Sequence, residues 1–343
     1  MAMTDGVMDD WTDDETPLMH GGNLAAARLA FPQAPEPLID LSTGINPYPY
    51  PIPPFPPDIF ARLPEPAAIA KLAATAANTY GAPSADHVVI APGTQILLPL
   101  VAALAPLGRA AILSPTYEEH ARVAKLVGHD VALVSDPSQL ANANLAIVTN
   151  PNNPDGRVVV RLDLLALAEK LRHRNGILVV DEAFMDVGPD YTSLADDIDT
   201  GNIVVLRSFG KFFGLAGIRL GFAIAAPAHA ARLRALLGPW PVSGVGITIA
   251  ERALADVAWV KSMRARLAHD ATRLDDLLTK AGLAIVGGTS LFRLVEAQEA
   301  ETVYRRLGKA GIVVRRFPSH KKWLRFGMPA DDEAWSRLHA ALT

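Results

Sequence analysis

Of all the side chains in this 343-residue protein, Lys211 is the one whose setting speaks most directly of covalent chemistry. It stands in Ser208-Phe209-Gly210-Lys211-Phe212-Phe213-Gly214, straight after the apolar run NIVVLR, and Arg219 lies eight residues further on. Lysines usually occupy solvated helix faces, whereas this one is walled by phenylalanine, glycine and leucine. A desolvated lysine with a cation nearby has a depressed pKa, so its neutral amine can attack a carbonyl carbon. That is the chemistry of a lysine that holds an aldehyde as a Schiff base.

Other groups are spaced upstream and downstream as such an aldehyde would need. Asp181 ends the apolar run ILVVDEAF. A carboxylate buried there is costly unless paired, and a protonated ring nitrogen would pair it. A helix cap or a metal ligand is the alternative, the metal disfavoured because no histidine stands near with ligand spacing. His120, after Glu118-Glu119, reads as part of a helix face. In VIAPGTQ the backbone amides of Gly93, Thr94 and Gln95 would open a helix and seat a phosphate. Taken alone, that string is equally a plain strand-to-helix connection. Ser208 and Arg219 would complete such a seat. Asn153, in NPNNPDG, is placed to bond a ring hydroxyl or to shape a turn with no ligand. Tyr117, in SPTYEEH, stacks on a flat ring or packs in the core. Arg315 and Arg325 end the runs IVVRRF and KWLRFGM, and their forks suit carboxylate and phosphate oxygens. Either one alone is equally a surface residue, but the apolar neighbours of Arg325 aim it at something specific.

The elements that must position these groups are legible too. From about residue 67 short β-branched runs alternate with helical stretches, which predicts an α/β unit with a mostly parallel sheet covered on both faces. Ligands bind beyond the carboxyl ends of such strands, where Gly93, Asn153, Asp181 and Lys211 fall. After about residue 228 the pattern changes to a long helix over Val257 to Ala281 and then a smaller α+β unit. The expected division is an N-terminal arm over 1–35, a large domain over 36–227 and a small domain over 228–343. The proline-rich segment from Pro47 to Pro57 is expected to run extended.

Half the residues are apolar, a fifth are charged and the net charge is -4, so a nucleic-acid-coating surface is not expected. There is no cysteine, which excludes disulfides, thiolate metal sites and a cysteine nucleophile. The acidic start (Asp9, Asp10, Asp13, Asp14, Glu15) is unlike a signal peptide, and no apolar run reaches the roughly eighteen residues of a membrane span. A cytoplasmic protein is expected. No G-x-G-x-x-G follows the first strand, which disfavours a nicotinamide dehydrogenase.

Taken in order, a glycine turn, an aromatic, Asn before Pro-x-Gly, Asp after an apolar strand, S-x-x-K, an arginine eight on and a late Leu-Arg form one joint pattern. By it the chain resembles the fold-type I pyridoxal-phosphate enzymes, in their histidinol-phosphate aminotransferase-like branch. The resemblance implies pyridoxal 5'-phosphate as cofactor, with Lys211 as its covalent attachment and Asp181 as partner of the pyridine nitrogen. It makes Asn153 the ligand of the ring hydroxyl and Tyr117 the stacking aromatic. Gly93, Thr94, Gln95, Ser208 and Arg219 would be the phosphate seat, and Arg325 the grip on the substrate carboxylate. It also implies a homodimer.

Within the branch, the opening HGGN and IDLSTGINP is similar to that of the threonine-phosphate decarboxylases of cobalamin biosynthesis. This likeness implies decarboxylation of O-phospho-L-threonine to 1-aminopropan-2-ol phosphate, with His20, Gly21, Gly22, Asn46 and Arg315 near the substrate phosphate. Phe184 in DEAF, where the aminotransferases usually carry tyrosine, points the same way. An aminotransferase acting on histidinol phosphate or an aromatic amino acid is the alternative, and an inactive cofactor-binding regulator is a second. The chain departs from its relatives at Arg62-Leu63-Pro64-Glu65, where Leu63 replaces a tyrosine that reaches the partner subunit's cofactor phosphate. PGTQ also lacks the acidic residue usual in this branch.

Overall fold

The computed structural model describes residues 21–343, so the readings made for His20 and the acidic stretch before it lie outside the described residues. The strands are β1 (Ile39–Leu41), β2 (Val88–Ala91), β3 (Arg109–Leu113), β4 (Asp130–Val134), β5 (Leu145–Thr149), β6 (Ile177–Asp181), β7 (Ile203–Ser208), β8 (Gly221–Ala225), β9 (Ala284–Thr289), β10 (Phe292–Glu296), β11 (Ile312–Arg316) and β12 (Trp323–Gly327). The helices are α1 (Leu24–Ala30), α2 (Asp58–Ala61), α3 (Pro66–Tyr80), α4 (Thr94–Ala102), α5 (Glu119–Val127), α6 (Arg161–Arg172), α7 (Phe209–Phe212), α8 (Pro227–Leu237), α9 (Gly244–Ala255), α10 (Val257–Lys280), α11 (Ala300–Lys309) and α12 (Asp332–Leu342).

Two sheets result. The larger has seven strands in the order β2-β8-β7-β6-β5-β3-β4. All neighbours in it run parallel except β8, which is antiparallel to β7 and β2. Its central strands are apolar on both faces. Leu145, Ile147, Ile177 and Val179 feed one core, while Ala146, Val148, Leu178 and Val180, one residue out of step, feed the other. Each fully buried Val or Leu contributes about 1.5–3 kcal/mol, so both faces hold the register firmly. That alternation also sets where the polar strand ends point. Asp181 and Ser208 continue the face of Val179 and Leu206, and Arg207 points to the opposite one.

The smaller sheet has five strands in the order β1-β11-β12-β10-β9. Here the structure departs from the expected division of the chain. β1 pairs parallel with β11, Ile39 opposite Ile312, so a strand assigned to the large domain completes the small sheet. At the other boundary, α8 packs on β2 and β8, and α9 packs on α3, so the chain stays with the large sheet well beyond residue 228. α10, capped by Asp256 through the Trp259 N–H, then carries it to the small unit. A three-residue strand and two ordinary amphipathic helices show no composition change that a sequence reading could use.

Candidate active site

β6 and β7 are parallel neighbours, with Asp181 paired in register to Leu206. Their carboxyl ends therefore open at the same place, and the segment after β7 folds at once into the short α7 that carries Lys211. Beyond these ends lies a cavity of about 480 Å³. Gly21, Gly93, Thr94, Gln95, Tyr117, Asn153, Asp181, Ser208, Lys211, Arg219, Arg315 and Arg325 all line it. Gly22 and Asn46, expected beside them, are not among its lining residues. The Gly22 N–H donates to Ser42 Oγ at 2.8 Å, so it fixes the incoming chain. The Asn46 side chain is turned behind the lysine segment, donating to Phe212 O at 2.7 Å and accepting from Tyr48 N at 2.9 Å. Its amide is consumed by backbone partners, and the structure does not bring it to the cavity with the other expected site residues.

The Lys211 side chain makes no hydrogen bond or ion pair among the described residues. Its Nζ lies 5.8 Å from the centre of the Phe184 ring. Burial and then the Arg325 guanidinium push its pKa down to about 8, with Asp181 opposing and Arg219 adding to the fall. The amine is thus about half neutral near pH 8, where an ordinary lysine is almost wholly protonated.

Asp181 is 6 % exposed. Its Oδ1 accepts the Ala183 N–H at 3.1 Å and its Oδ2 lies 3.1 Å from His120 Nε2. His120 is therefore a site residue that the sequence reading left on a helix face. It is 1 % exposed, stands edge-on to Tyr117 with ring centres 5.8 Å apart, and lies 3.3 Å from Thr149 Oγ1. The available signal was the spacing Tyr117-x-x-His120 at the start of α5, which puts both rings on one side of the first turn. Tyr117 donates from its hydroxyl to Gln95 Oε1 at 3.1 Å, and Gln95 in turn donates to Glu119, which Arg122 holds in a two-pronged ion pair. Burial, with Glu119 next, pushes the Tyr117 phenol up to about 12, so it stays protonated.

At the opposite wall of the large sheet, Gly93 has φ +88° and opens α4. A Cβ at this position would stand 2.8 Å from Arg219 Nη2. Arg219 itself is left-handed, with φ 55°, and its Nη1 donates to Ala216 O at 3.2 Å. This strained turn brings a guanidinium to the free amides of a helix N-terminus, a pairing that favours an anion with several oxygens.

The small sheet contributes two more guanidiniums. Arg315 on β11 and Arg325 on β12 are direct cross-strand partners. Arg325 is 7 % exposed, donates to Asn153 Oδ1 and, at 3.0 Å, to Ser42 O, and keeps its Nε unpartnered among the described residues. Burial and then Arg315 push its pKa down to about 9. The Arg315 side chain has no hydrogen bond or ion pair among the described residues, and burial lowers its pKa also, with Glu118 and Tyr117 opposing. Two like charges opposed across a strand pair are unfavourable unless an anion joins them.

Comparison with known proteins agrees with this arrangement. Threonine-phosphate decarboxylase from Sinorhizobium sp is 40 % identical over 328 residues, covering 95 % of this chain and 98 % of that one. The protein of the same name from Pseudomonas aeruginosa is 40 % identical over 330 residues, covering 95 % and 97 %. Among solved structures, histidinol-phosphate aminotransferase from Sinorhizobium meliloti in complex with pyridoxal-5'-phosphate superposes with a TM-score of 0.79 at 22 % identity, covering 96 % of this chain and 94 % of that one. L-threonine-O-3-phosphate decarboxylase from Porphyromonas gingivalis gives a TM-score of 0.71 at 20 % identity, covering 83 % and 94 %. At these identities the likeness to the solved structures is one of fold, the fold-type I architecture. The family model for aminotransferase class I and II matches residues 60–342, the span that carries the lysine turn, the buried aspartate and both small-sheet arginines. By that match and by the near full-length likeness to its relatives, the chain belongs to the aminotransferase class I and II family.

Proposed function

We propose that this chain is a pyridoxal-phosphate-dependent lyase that releases CO2 from O-phospho-L-threonine and leaves 1-aminopropan-2-ol phosphate, a step of cobalamin biosynthesis. The observation that carries the reading is the cross-strand pair Arg315 and Arg325, facing one cavity with Lys211. Two guanidiniums suit a substrate with two anionic ends. The name borne by relatives 40 % identical over 95 % of the chain supports the same substrate.

The residues fit the cofactor. Glycine at 93 leaves the space beside the Arg219 guanidinium that any Cβ would fill, and Lys211 faces the cavity without a partner. Lys211 would hold the aldehyde carbon and Asp181 the ring nitrogen. The Asn153 amide, whose oxygen already accepts from Arg325, would offer its NH2 group to the ring hydroxyl. Tyr117 would cover the ring, and the α4 amides with Ser208 and Arg219 would hold the phosphate. Once bound, the cofactor supplies an electron sink for the pair left at Cα when a bond there breaks.

The chain's own residues decide which bond that is. Arg325 orients the carboxylate and Arg315 the phosphate, so rotation at Cα is fixed from both ends. His120 holds Asp181 in place as an acceptor. Lys211, with a pKa near 8, is poised to return a proton to Cα.

We also infer a homodimer. Phe60, Leu63 and Trp240 are 71 %, 64 % and 50 % exposed, large apolar side chains that contact with a second copy would cover. A cytoplasmic setting accompanies the proposed substrate.

The second reading, an aminotransferase, is supported by a histidinol-phosphate aminotransferase from Shewanella amazonensis that is 32 % identical over 249 residues. One assay separates the two. Purified protein with the cofactor and O-phospho-L-threonine, without any keto acid, should release CO2 at a rate that added 2-oxoglutarate does not change. A strict requirement for 2-oxoglutarate, with no CO2, would reject the lyase.

A further inference from the structure

We propose that Asn46 is the positioning residue that fixes Lys211 against the small-sheet arginines. The inference rests on Lys211 being the reactive amine of the reading above. Asn46 is 2 % exposed and touches the lysine segment at successive carbonyls. Its N–H donates to Lys211 O at 3.0 Å and its Nδ2 donates to Phe212 O at 2.7 Å. Four residues on, the Tyr50 N–H donates to Phe213 O at 2.9 Å. These carbonyls end a helix of four residues, so few intrahelical donors reach them. The close approach depends on Gly214, whose φ is +68° and whose Cβ would stand 2.8 Å from both Asn46 O and Pro49 Cα.

The same segment is anchored at both ends to the other unit. Upstream, β1 pairs with β11, and Ser42 O accepts Arg325 Nη2 at 3.0 Å. Downstream, the Tyr48 hydroxyl donates to Asp270 at 3.0 Å and the Tyr50 hydroxyl to Asp256 at 3.2 Å, which tie it to α10 and its cap. Residues 42–50 thus form a strap that runs from the Arg325 grip, under Lys211, to the long helix. Asn46 is the point where the strap holds the lysine backbone with both its main chain and its side chain.

The test uses the full-length, cofactor-free chain. Acetylation of Lys211 by acetic anhydride is followed against pH by peptide mass spectrometry, alongside a melting curve. The wild-type midpoint is expected near 8. Asn46→Ala frees the segment, lets water reach the amine and should raise the midpoint by about one pH unit. With cofactor and phosphothreonine, kcat should fall about tenfold while KM moves less than about twofold, because orientation and not binding is lost. Where Asn46→Ala does not fold, Gly214→Ala, which forces the strap off the lysine loop, carries the same expectation. A folded variant with its midpoint within about 0.3 pH units of wild type and only a lower melting temperature would overturn the proposal, since a merely structural residue behaves that way. The acetylation result needs neither cofactor nor substrate, so failure of the lyase reading leaves it standing.

Discussion

Arg315→Met should make the protein more stable and a worse enzyme at once. Arg315 is half-buried, has no side-chain hydrogen bond or ion pair among the described residues, lies 5.6 Å from the centre of the Phe317 ring, and stands opposite Arg325 in the register of β11 and β12. Like charges so placed cost roughly 0.2–1 kcal/mol. Methionine keeps the length and apolar stem of the side chain, so its packing against the cavity wall survives. Removing the charge should therefore raise the melting temperature of the cofactor-free protein by about 0.3–1.5 °C, given the size of the chain. It should also let the Arg325 pKa climb back from about 9, since Arg315 is its second depressing influence after burial. Binding pays the opposite way. A charge-assisted contact to phosphate is worth about 1.5–3 kcal/mol, which is about 10–150-fold in affinity. The assay is a set of initial rates of CO2 release over a range of O-phospho-L-threonine concentrations, with unphosphorylated threonine as a competing ligand. KM for phosphothreonine should rise by that factor, while inhibition by threonine should stay within about twofold because it lacks the group Arg315 holds. If the variant kept its affinity for phosphothreonine, or melted several degrees lower, Arg315 would be a structural residue and the two-anion reading of the cavity would fail.

Three further outcomes follow from the geometry. Lys211 titrates near 8 in the folded, cofactor-free chain and at 10.5 unfolded, so the unfolded state binds the extra proton and stability rises as pH goes from 8 to 10.5. Lys211→Met should remove that slope, show no borohydride-stable attachment of cofactor, and be more stable at pH 7 by on the order of 2 kcal/mol, the full pKa shift being discounted for cavity water; denaturant melts across this pH range check it. His120→Phe deprives Asp181 of its buried side-chain partner and should weaken cofactor retention by about 10–100-fold, the worth of a hydrogen bond to a charged group, as read by absorbance titration. Gly93→Ala puts a methyl 2.8 Å from Arg219 Nη2 at φ +88°, and should also weaken cofactor binding by at least about tenfold, with phosphate competition lost in the same titration.

What was legible in the sequence depended on whether a residue's role was written into its own neighbours. The large sheet was readable because β5, β6, β7 and β8 are continuous apolar runs that only a doubly covered strand explains. Lys211 and Asp181 were readable for the same reason, as polar residues at the ends of such runs. His120 was not, because a lone histidine in EEHARVAKLVG carries no local sign that Asp181, 61 positions away, lies against it. Asn46 failed in the other direction. Its string IDLSTGINP resembles that of relatives and so suggested a ligand, but its amide oxygen is spent on the nearby Tyr48 N–H and its NH2 group on Phe212 O, 166 positions away. β1 was missed because three residues carry too little pattern, and its pairing with β11 spans almost the whole chain.

The division of labour between the two sheets bears on why one bond at Cα would break in preference to another. Asp181 and Ser208 end adjacent parallel strands of the large sheet and Lys211 follows at once on α7, so the proposed seat for the cofactor is built on one sheet. Arg315 and Arg325 stand on adjacent strands of the small sheet, so the two grips keep a separation set by strand spacing, roughly 5 Å between backbones, whatever the small sheet does as a whole. A substrate held at both anionic ends therefore turns with the small sheet and not within it. The torsion at Cα then follows from how that sheet is set against the lysine, and the strap from Ser42 to Tyr50 is the covalent segment that bonds to both. Phe184 fits the same logic. Packed edge-on to Phe292 of β10 at 5.0 Å, it makes an apolar contact between the sheets where a hydroxyl would instead compete for polar partners in the cavity. Orientation in this site is thus a property of two rigid sheets and the strap between them.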